Sequence, residues 1–429
     1  MMAPTLPEES TAPLTYKMWK AYNAQATAPD ILAEKAQPEE KSTLTPATGA
    51  SRIEILDPKT IEIPIFTDID QVTGQIVSEL GPFKLLNTVS AGAPSSVSRF
   101  ILRMDLVPLE ANVQRAVTGK SSVNYYHGGD PKDEIIALLS LAAGVRLKAG
   151  QPNRYFFKDD DPLGKVLHTS NQGDPRPPLR ANPPIIARYS SSFCLNDFQQ
   201  KLMSFINLDP QMASALMLSA RCYQIGLWRS EEDPQYAWLS LVSAVECAAN
   251  YHCKQKTNVV TALKDGMPGL YELLKQKDDP ESEWFENVAD HLKGLTGATK
   301  KFVDFLVEFW PDSPGTTAPH GDRKRFEYAW TPASGQSRKE WKQLLGKDLR
   351  WVYSWRSKYL HAGIAFPPPM LKPPMRLGGV WEERPIALAM SVGDNCWNAQ
   401  DTPMLLHTFE HIVRGSLIKW WGKAVAIKP

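Results

Sequence analysis

The chain lacks the features that define several large protein classes. Across its 429 residues, no apolar run approaches the ~18 residues of a membrane-spanning helix, so we expect no membrane association. Its 48 basic side chains nearly balance its 47 acidic ones, which leaves a formal net charge of +1. That balance excludes a uniformly basic nucleic-acid coat protein, although it is compatible with a local basic patch. With 43% hydrophobic residues, the chain can build sizeable cores.

Cysteine is also scarce. The number of cysteines is odd and their spacing is wide, which argues against a disulfide framework. Residues 1–13 contain neither the basic nor the apolar region of a secretory signal. We therefore expect reduced thiols and a cytoplasmic location. The five cysteines are Cys194, Cys222, Cys247, Cys253 and Cys396.

The common motifs for nucleotide-driven, serine-hydrolase or metal chemistry are missing or incomplete. The sequence contains no G-x-x-x-x-G-K-[ST] loop, no strand-embedded G-x-G-x-x-G and no G-x-S-x-G elbow. The stretch from His407 to His411 spells H-x-x-E-H, an inverted zinc-peptidase pattern. That pattern needs a further acidic ligand far downstream, and only residues 412–429 follow. We expect neither a metal nor a cofactor.

The first half of the chain alternates between irregular and strand-like composition. Residues 1–50 are rich in Ala, Pro, Thr and Glu, which predicts a flexible N-terminal arm, with a short docked helix at 15–23 as an alternative for its aromatic stretch. Within 51–195, segments such as 59–66 and 98–108 alternate apolar and polar residues as half-buried strands do. Because 133–147 has a helical stripe instead, we predict an α+β domain of unknown fold, with a possible sensing or regulatory role.

From residue 197 onward the pattern is helical. Amphipathic segments predict helices at 212–228, 234–253, 337–363 and 403–424. Asp233 followed by Pro234 supplies an N-cap and a first-turn proline, and Gly363 is suited to end the long helix. The predicted fold class is therefore α+β and multidomain. A strand-rich N-terminal domain is followed by an all-α bundle over 197–429.

Two of these helices each place one charge on an otherwise apolar seam. In the long helix, Arg356 follows Val352 and precedes Tyr359 at spacings of four and three residues, where an apolar residue belongs. In the 234–253 helix, Glu246 occupies the equivalent place after Val242. A buried guanidinium needs a partner, because desolvating a lone charge is costly. Two interpretations are open: a structural ion pair, or a phosphate-binding arginine held by a carboxylate.

The sequence around Arg356 resembles a known family. WRSKYLHAG (355–363) contains the R-x4-6-H pattern of HEPN domains and resembles their ApeA-like branch. AWLSLVSAVE (237–246) is similar to the first-helix pattern of that branch, in which an apolar run ends in Glu. LLHTFEHIVRGSLIKWW (405–421) is similar to its closing helix. The resemblance covers roughly residues 210–425.

The resemblance implies an antiparallel helical bundle that pairs as a dimer. Active HEPN domains are metal-independent endoribonucleases in which Arg and His of two protomers line one cleft. Carried onto this chain, Arg356 would hold the scissile phosphate and Glu246 would orient Arg356. His361 would move protons for attack by the 2′-hydroxyl, giving a 2′,3′-cyclic phosphate. By the same resemblance, the protein would act in bacterial stress, toxin or anti-phage defence.

Two features leave an alternative open. Many active members carry Asn, Asp or His after the Arg, whereas this chain has Ser357. On a continuous helix, His361 lies about 140° around the axis from Arg356, so the two would converge only if the helix loosened or a second protomer supplied one of them. The alternative is a catalytically inactive HEPN bundle that acts as a dimerisation or partner-binding module. Lys358 and Tyr359, with Ser357, are secondary site candidates.

The charge near this motif agrees with an RNA partner. Residues 337–361 carry seven basic and two acidic side chains in a nearly neutral protein. Basic residues beside a phosphate site raise affinity for nucleic acid, although a solvated helix face has the same composition. The expected partners are RNA, a second copy of the chain through the helical domain, and a regulatory protein that the sequence does not identify.

Overall fold

The computed structural model places strands in the N-terminal half and mainly helices in the C-terminal half, as the α+β prediction requires. This order of elements does not by itself divide the chain into the separate domains that the sequence predicts. The structure describes residues 12–26, 58–88, 99–106, 129–157, 162–166, 175–177, 183–186, 192–253, 259–292, 297–312, 345–374, 376–377, 380–381, 389–392, 395–398 and 403–426.

The first described element is a docked helix, α1 (Leu14–Ala26). Tyr16 and Trp19 are buried in the core, and the backbone N–H of Thr15 donates to Glu134 Oε2 at 2.7 Å. The flexible arm predicted for 1–50 is therefore wrong over Leu14–Ala26, and the alternative of a short docked helix at 15–23 is confirmed, because its aromatic residues bury apolar surface. The rest of 1–50 lies outside the described residues.

An antiparallel sheet dominates the region after α1. The long strand β1 pairs with β4 on one side and with β5 and β6 on the other. The described strand order is β3-β4-β1-β6-β7, with β5 also on β1. The strands predicted within 59–66 and 98–108 are confirmed as β1 and β4. The strands are β1 (Thr60–Thr67), β2 (Gln71–Thr73), β3 (Phe83–Leu86), β4 (Arg99–Asp105), β5 (Leu147–Ala149), β6 (Arg154–Phe156), β7 (Lys165–Val166) and β8 (Ser192–Cys194).

Helix α2 (Pro131–Ala143) packs in the core between the sheet and the helices. Every residue from Glu134 to Ala143 is buried. It ends four residues earlier than the predicted segment 133–147, because Gly144 adopts φ 70° and closes the helix with a left-handed cap.

The C-terminal half is built on two long neighbouring helices, α4 (Pro210–Arg229) and α5 (Pro234–His252). Asp233 caps α5 by accepting from the N–H of Tyr236 at 3.0 Å, as predicted. The helices approach closely at Gly226, where a Cβ atom would lie 3.0 Å from Leu241. The other helices are α3 (Gln199–Met203), α6 (Val259–Gly266), α7 (Pro268–Lys275), α8 (Glu283–Leu292), α9 (Ala298–Glu308), α10 (Leu345–Ala362) and α11 (Leu406–Ala426).

The all-α prediction for 197–429 is wrong in one segment. Between α10 and α11 lie two antiparallel strand pairs, β9 (Arg376–Leu377) with β10 (Val380–Trp381) and β11 (Ala389–Val392) with β12 (Asn395–Asn398). In both pairs only two residues separate the strands: a Gly-Gly and a Gly-Asp step. These steps are typical of tight hairpins.

One hydrophobic core spans the predicted boundary near residue 195. It contains Ile63 from the sheet, Leu138 from α2 and Trp421 from α11. A second, small cluster joins α6, α7 and α8 through Leu263 and Phe285, among others. Among the described residues, the structure has no helix whose length and apolarity would let it cross a membrane.

Candidate functional site

Helices α5 and α10 bring Glu246 and Arg356 together. Arg356 Nη2 donates to Glu246 Oε2 at 2.7 Å. On α10, Leu349 and Val352 are buried on the same seam as Arg356. The two charged positions on the apolar seams of α5 and α10 therefore meet in the fold. The partly buried guanidinium of Arg356 has the carboxylate partner that its burial requires.

Tyr353 completes this group, and the sequence analysis missed it. Its hydroxyl donates to Glu246 Oε1 at 2.8 Å, and its ring centroid lies 5.5 Å from the guanidinium carbon of Arg356. Burial, together with the neighbouring Glu246 charge, raises the pKa of Tyr353 to about 12. The sequence could have indicated Tyr353 by its spacing, since it precedes Arg356 by three residues and lies on the same face of the helix.

Arg356 retains unused donor capacity. Its side chain is 20% exposed and Glu246 is 18% exposed, so the pair lies at the edge of the core. The Nε atom of Arg356 is buried and makes no hydrogen bond to any described residue. A guanidinium offers five N–H donors in a rigid plane that matches phosphate oxygens. Glu246 and Tyr353 therefore hold an arginine that is not fully satisfied.

Two thiols neighbour the carboxylate. Cys222 on α4 and Cys247 on α5 are both half-buried. The hydrogen bond between them lowers the pKa of the Cys222 thiol and raises that of Cys247, which burial and Glu246 raise further. Within the described part of the chain, no three His, Cys, Asp or Glu side chains are grouped closely enough to hold a metal ion.

His361 lies apart from this group. Helix α10 stays continuous through Ala362, where Gly363 at φ 66° ends it with a bond from its N–H to Tyr359 O at 3.0 Å. The helix therefore does not loosen before Gly363, and Arg356 and His361 stay on different faces of one chain. His361 is exposed.

The secondary candidates have three different surroundings. Ser357 is half-buried and Lys358 is exposed. The Nζ atom of Lys358 lies 4.1 Å from the ring centroid of Trp355. Tyr359 packs its ring 5.7 Å from that of Phe366, against the core. Of these three, only Lys358 carries a charge, and its side chain is exposed.

The remaining sequence signals are distributed differently. Arg350 is exposed on α10, while Arg338, Lys339 and Lys342 lie outside the described residues. In the H-x-x-E-H stretch, His407 and Glu410 are both buried. Glu410 accepts a hydrogen bond from the hydroxyl of Tyr223 at 2.6 Å, so this carboxylate binds a side chain within the core.

Comparison of the chain with protein-family models, with curated proteins and with solved structures finds no match.

Proposed function

We propose that this protein is a HEPN-type, metal-independent endoribonuclease whose active site is completed by two copies of the chain. The observation that carries the proposal is Arg356, an arginine anchored by Glu246 at 2.7 Å while its Nε remains without a partner among the described residues. Such an arginine is oriented by protein contacts, and the exposed fifth of its side chain leaves part of the guanidinium open to a phosphate.

A second copy of the chain would bring a His361 close to Arg356. The residue is exposed on the last turn of α10 and points away from Arg356 in its own chain. A two-fold dimer repeats the same patch on both copies, so Arg356 of one protomer can face His361 of the other. The dimer therefore supplies what one chain lacks.

The chemistry follows from these two side chains. The 2′-hydroxyl oxygen of RNA attacks the phosphorus, its proton passes to His361, and the bond from phosphorus to the 5′-oxygen breaks. The departing 5′-oxygen takes that proton from the protonated His361, which leaves a 2′,3′-cyclic phosphate and a 5′-hydroxyl and restores the neutral imidazole. Arg356 stabilises the charge on the phosphate oxygens.

The direct test is cleavage of a mixed RNA pool by purified protein in the presence of a chelator. We expect products with cyclic-phosphate ends, and loss of cleavage in Arg356→Ala and in His361→Ala. The matched control is His291→Ala, since His291 is also exposed on the last turn of a helix. Intact RNA after incubation with a folded, dimeric wild-type protein would contradict the proposal.

A mixed dimer tests the shared site. Arg356→Ala and His361→Ala chains, co-expressed with different tags and purified as the heterodimer, retain one intact Arg–His combination out of two. We expect about half of the wild-type rate if the residues act across the dimer. If they act within one chain, the heterodimer stays as inactive as either variant dimer.

The second candidate function is a catalytically inactive HEPN bundle for dimerisation or partner binding. The separation of His361 from Arg356 on one continuous helix and the presence of Ser357 after Arg356 favour it. It predicts that neither variant changes a cellular phenotype as long as the protein folds and dimerises. Sedimentation of the two variants measures that assembly.

A further inference from the structure

A solvent-open cavity of about 320 Å³ lies where α2, β5, α4 and the start of α5 meet. Its volume is at the lower end of the ~300–1,000 Å³ range of small-molecule sites. None of its lining residues belongs to the Glu246–Arg356 group. They are Asp133, Lys148, Arg221, Gln224, Ile225, Trp228, Arg229 and Tyr236.

The cavity wall has an excess of positive charge. Lys148, Arg221 and Arg229 face one carboxylate, that of Asp133. Among the described residues, Asp133 forms an ion pair with Nη1 of Arg221 at 3.7 Å, which is beyond hydrogen-bond length. Arg221 Nη1 is buried and makes no hydrogen bond to any described residue. An unsatisfied guanidinium beside two further cations is suited to an anion.

Aromatic surface lies beside these cations. Tyr236 and Trp228 line the cavity; Tyr236 is 46% exposed, whereas Trp228 is 7% exposed and forms the floor beside it. Lys148 Nζ lies 5.4 Å from the ring centroid of Trp228. Planar ligands stack on such rings, and stacking tolerates any base because every base has a π-face.

Hydrogen bonds to Arg146 hold the end of α4, which forms one wall of the cavity, in place. The residues after Arg229, Ser230 and Glu231, both bind the buried guanidinium of Arg146, each at 2.6 Å. This fixes the end of α4 against the sheet. A site formed on such a fixed element loses little conformational freedom when a ligand binds.

We propose that this cavity binds a nucleoside monophosphate, with the phosphate on Arg221, Arg229 and Lys148 and the base against Tyr236 and Trp228. The shared chemistry is one phosphate joined to one planar base. It fits a free nucleotide and the 5′-phosphorylated end of an RNA strand. The proposal does not depend on the nuclease activity.

Calorimetric titration of the full chain with AMP, UMP, adenosine and inorganic phosphate tests the site. We expect saturable binding of the two monophosphates, and weaker binding of adenosine and of phosphate, which each offer half of the ligand. Arg229→Ala and Tyr236→Ala should each weaken AMP binding by about tenfold, because a charged hydrogen bond or a stacked base is lost.

Matched variants separate binding from folding. Arg229 and Tyr236 are exposed, so their substitution leaves the core intact. Tyr236→Phe keeps the ring and should retain the wild-type affinity. Lys277→Ala removes an exposed cation outside the cavity and should leave AMP affinity unchanged, whereas Lys148→Ala should reduce it.

Two results would overturn the proposal: absence of saturable binding by either monophosphate, or an AMP affinity that Arg229→Ala and Tyr236→Ala both leave unchanged. A 5′-phosphorylated RNA tetranucleotide distinguishes the sources of the ligand. Displacement of bound AMP supports the end of an RNA strand as the occupant, and AMP binding without displacement supports a free nucleotide.

Discussion

Two arginines of this protein pair with carboxylates in different ways. Arg146 joins the sheet half to the end of α4, and Arg356 joins α10 to α5. The side chain of Arg146 is 6% exposed and that of Arg356 is 20% exposed.

All three guanidinium nitrogens of Arg146 are occupied. Nη1 donates to Asp68 at 2.8 Å, Nη2 to Ser230 and Glu231, and Nε to Leu227 O at 2.7 Å. Within the part of the chain that the structure describes, Arg356 has one carboxylate partner and its Nε makes no hydrogen bond. With four of its five N–H groups bonded and only 6% of its side chain exposed, Arg146 stabilises the fold and presents almost nothing to a ligand. Arg356 is oriented by fewer bonds and is exposed enough to bind an anion.

The largest expected effect is at Arg146. Arg146→Ala removes the guanidinium that two buried carboxylates, Asp68 and Glu231, share. We expect the free energy of unfolding to fall by about 3–5 kcal/mol, because buried charges lose their counter-ion. Urea denaturation measures it. The exposed Arg350 is the control, and Arg350→Ala should change stability by less than about 0.5 kcal/mol. Equal losses in the two variants would remove the distinction between buried and exposed arginines.

A smaller effect is expected at Glu134, a buried carboxylate that receives the N–H of Thr15 rather than a salt bridge. Burial raises its pKa to about 7, against the opposing pull of Thr15, Leu14 and Arg221. The folded state therefore binds this proton more tightly than the unfolded state does. Between about pH 4.5 and 7, the free energy of unfolding falls as the pH rises.

Glu134→Gln removes that dependence. Relative to the variant, the wild type should lose roughly 2–3 kcal/mol across the window, since one pKa unit corresponds to about 1.4 kcal/mol. Thermal unfolding at several pH values measures the difference. The same comparison with Glu272→Gln, on the exposed surface of α7, should give parallel profiles. Parallel profiles for Glu134→Gln as well would contradict the role of burial.

The smallest effects are expected around Glu246. Arg356→Ala should cost about 1–2 kcal/mol, less than Arg146→Ala because solvent screens a pair at the edge of the core. Tyr353→Phe removes one hydrogen bond and should cost about 1 kcal/mol. A double-mutant cycle between the two measures their coupling through the shared carboxylate. A loss at Arg356 as large as that at Arg146 would favour the structural ion pair over the phosphate-binding arginine.

Local sequence signals predicted much of the helical framework. The start of α5 was predictable because Asp233 and Pro234 act on adjacent backbone groups. The end of α10 followed from Gly363, which adopts the left-handed conformation that other residues avoid. The hairpins between α10 and α11 were missed although their two-residue steps were present, because strands of two to four residues are too short to show a clear alternating pattern.

The candidate site was only partly predictable. Period-3.6 spacing placed Glu246 and Arg356 on facing seams, and the two residues do meet. Tyr353 was missed because a tyrosine on a seam also suits an ordinary core position. The cavity residues come from four separate elements, so no single stretch of sequence contains a pattern that joins Asp133 to Lys148 and Tyr236.

The sequence by itself determined the broad layout of strands before helices, the bounds of the long helices to within a few residues and the two charges placed on apolar seams. These depend on interactions between residues a few positions apart, and the chain carries them directly. Only the tertiary structure decided that every guanidinium nitrogen of Arg146 is bonded, that Nε of Arg356 has no partner among the described residues and that three cations surround one cavity. The degree of burial and the number of partners of a side chain are set by segments far apart in sequence, and only the packed fold brings those segments together.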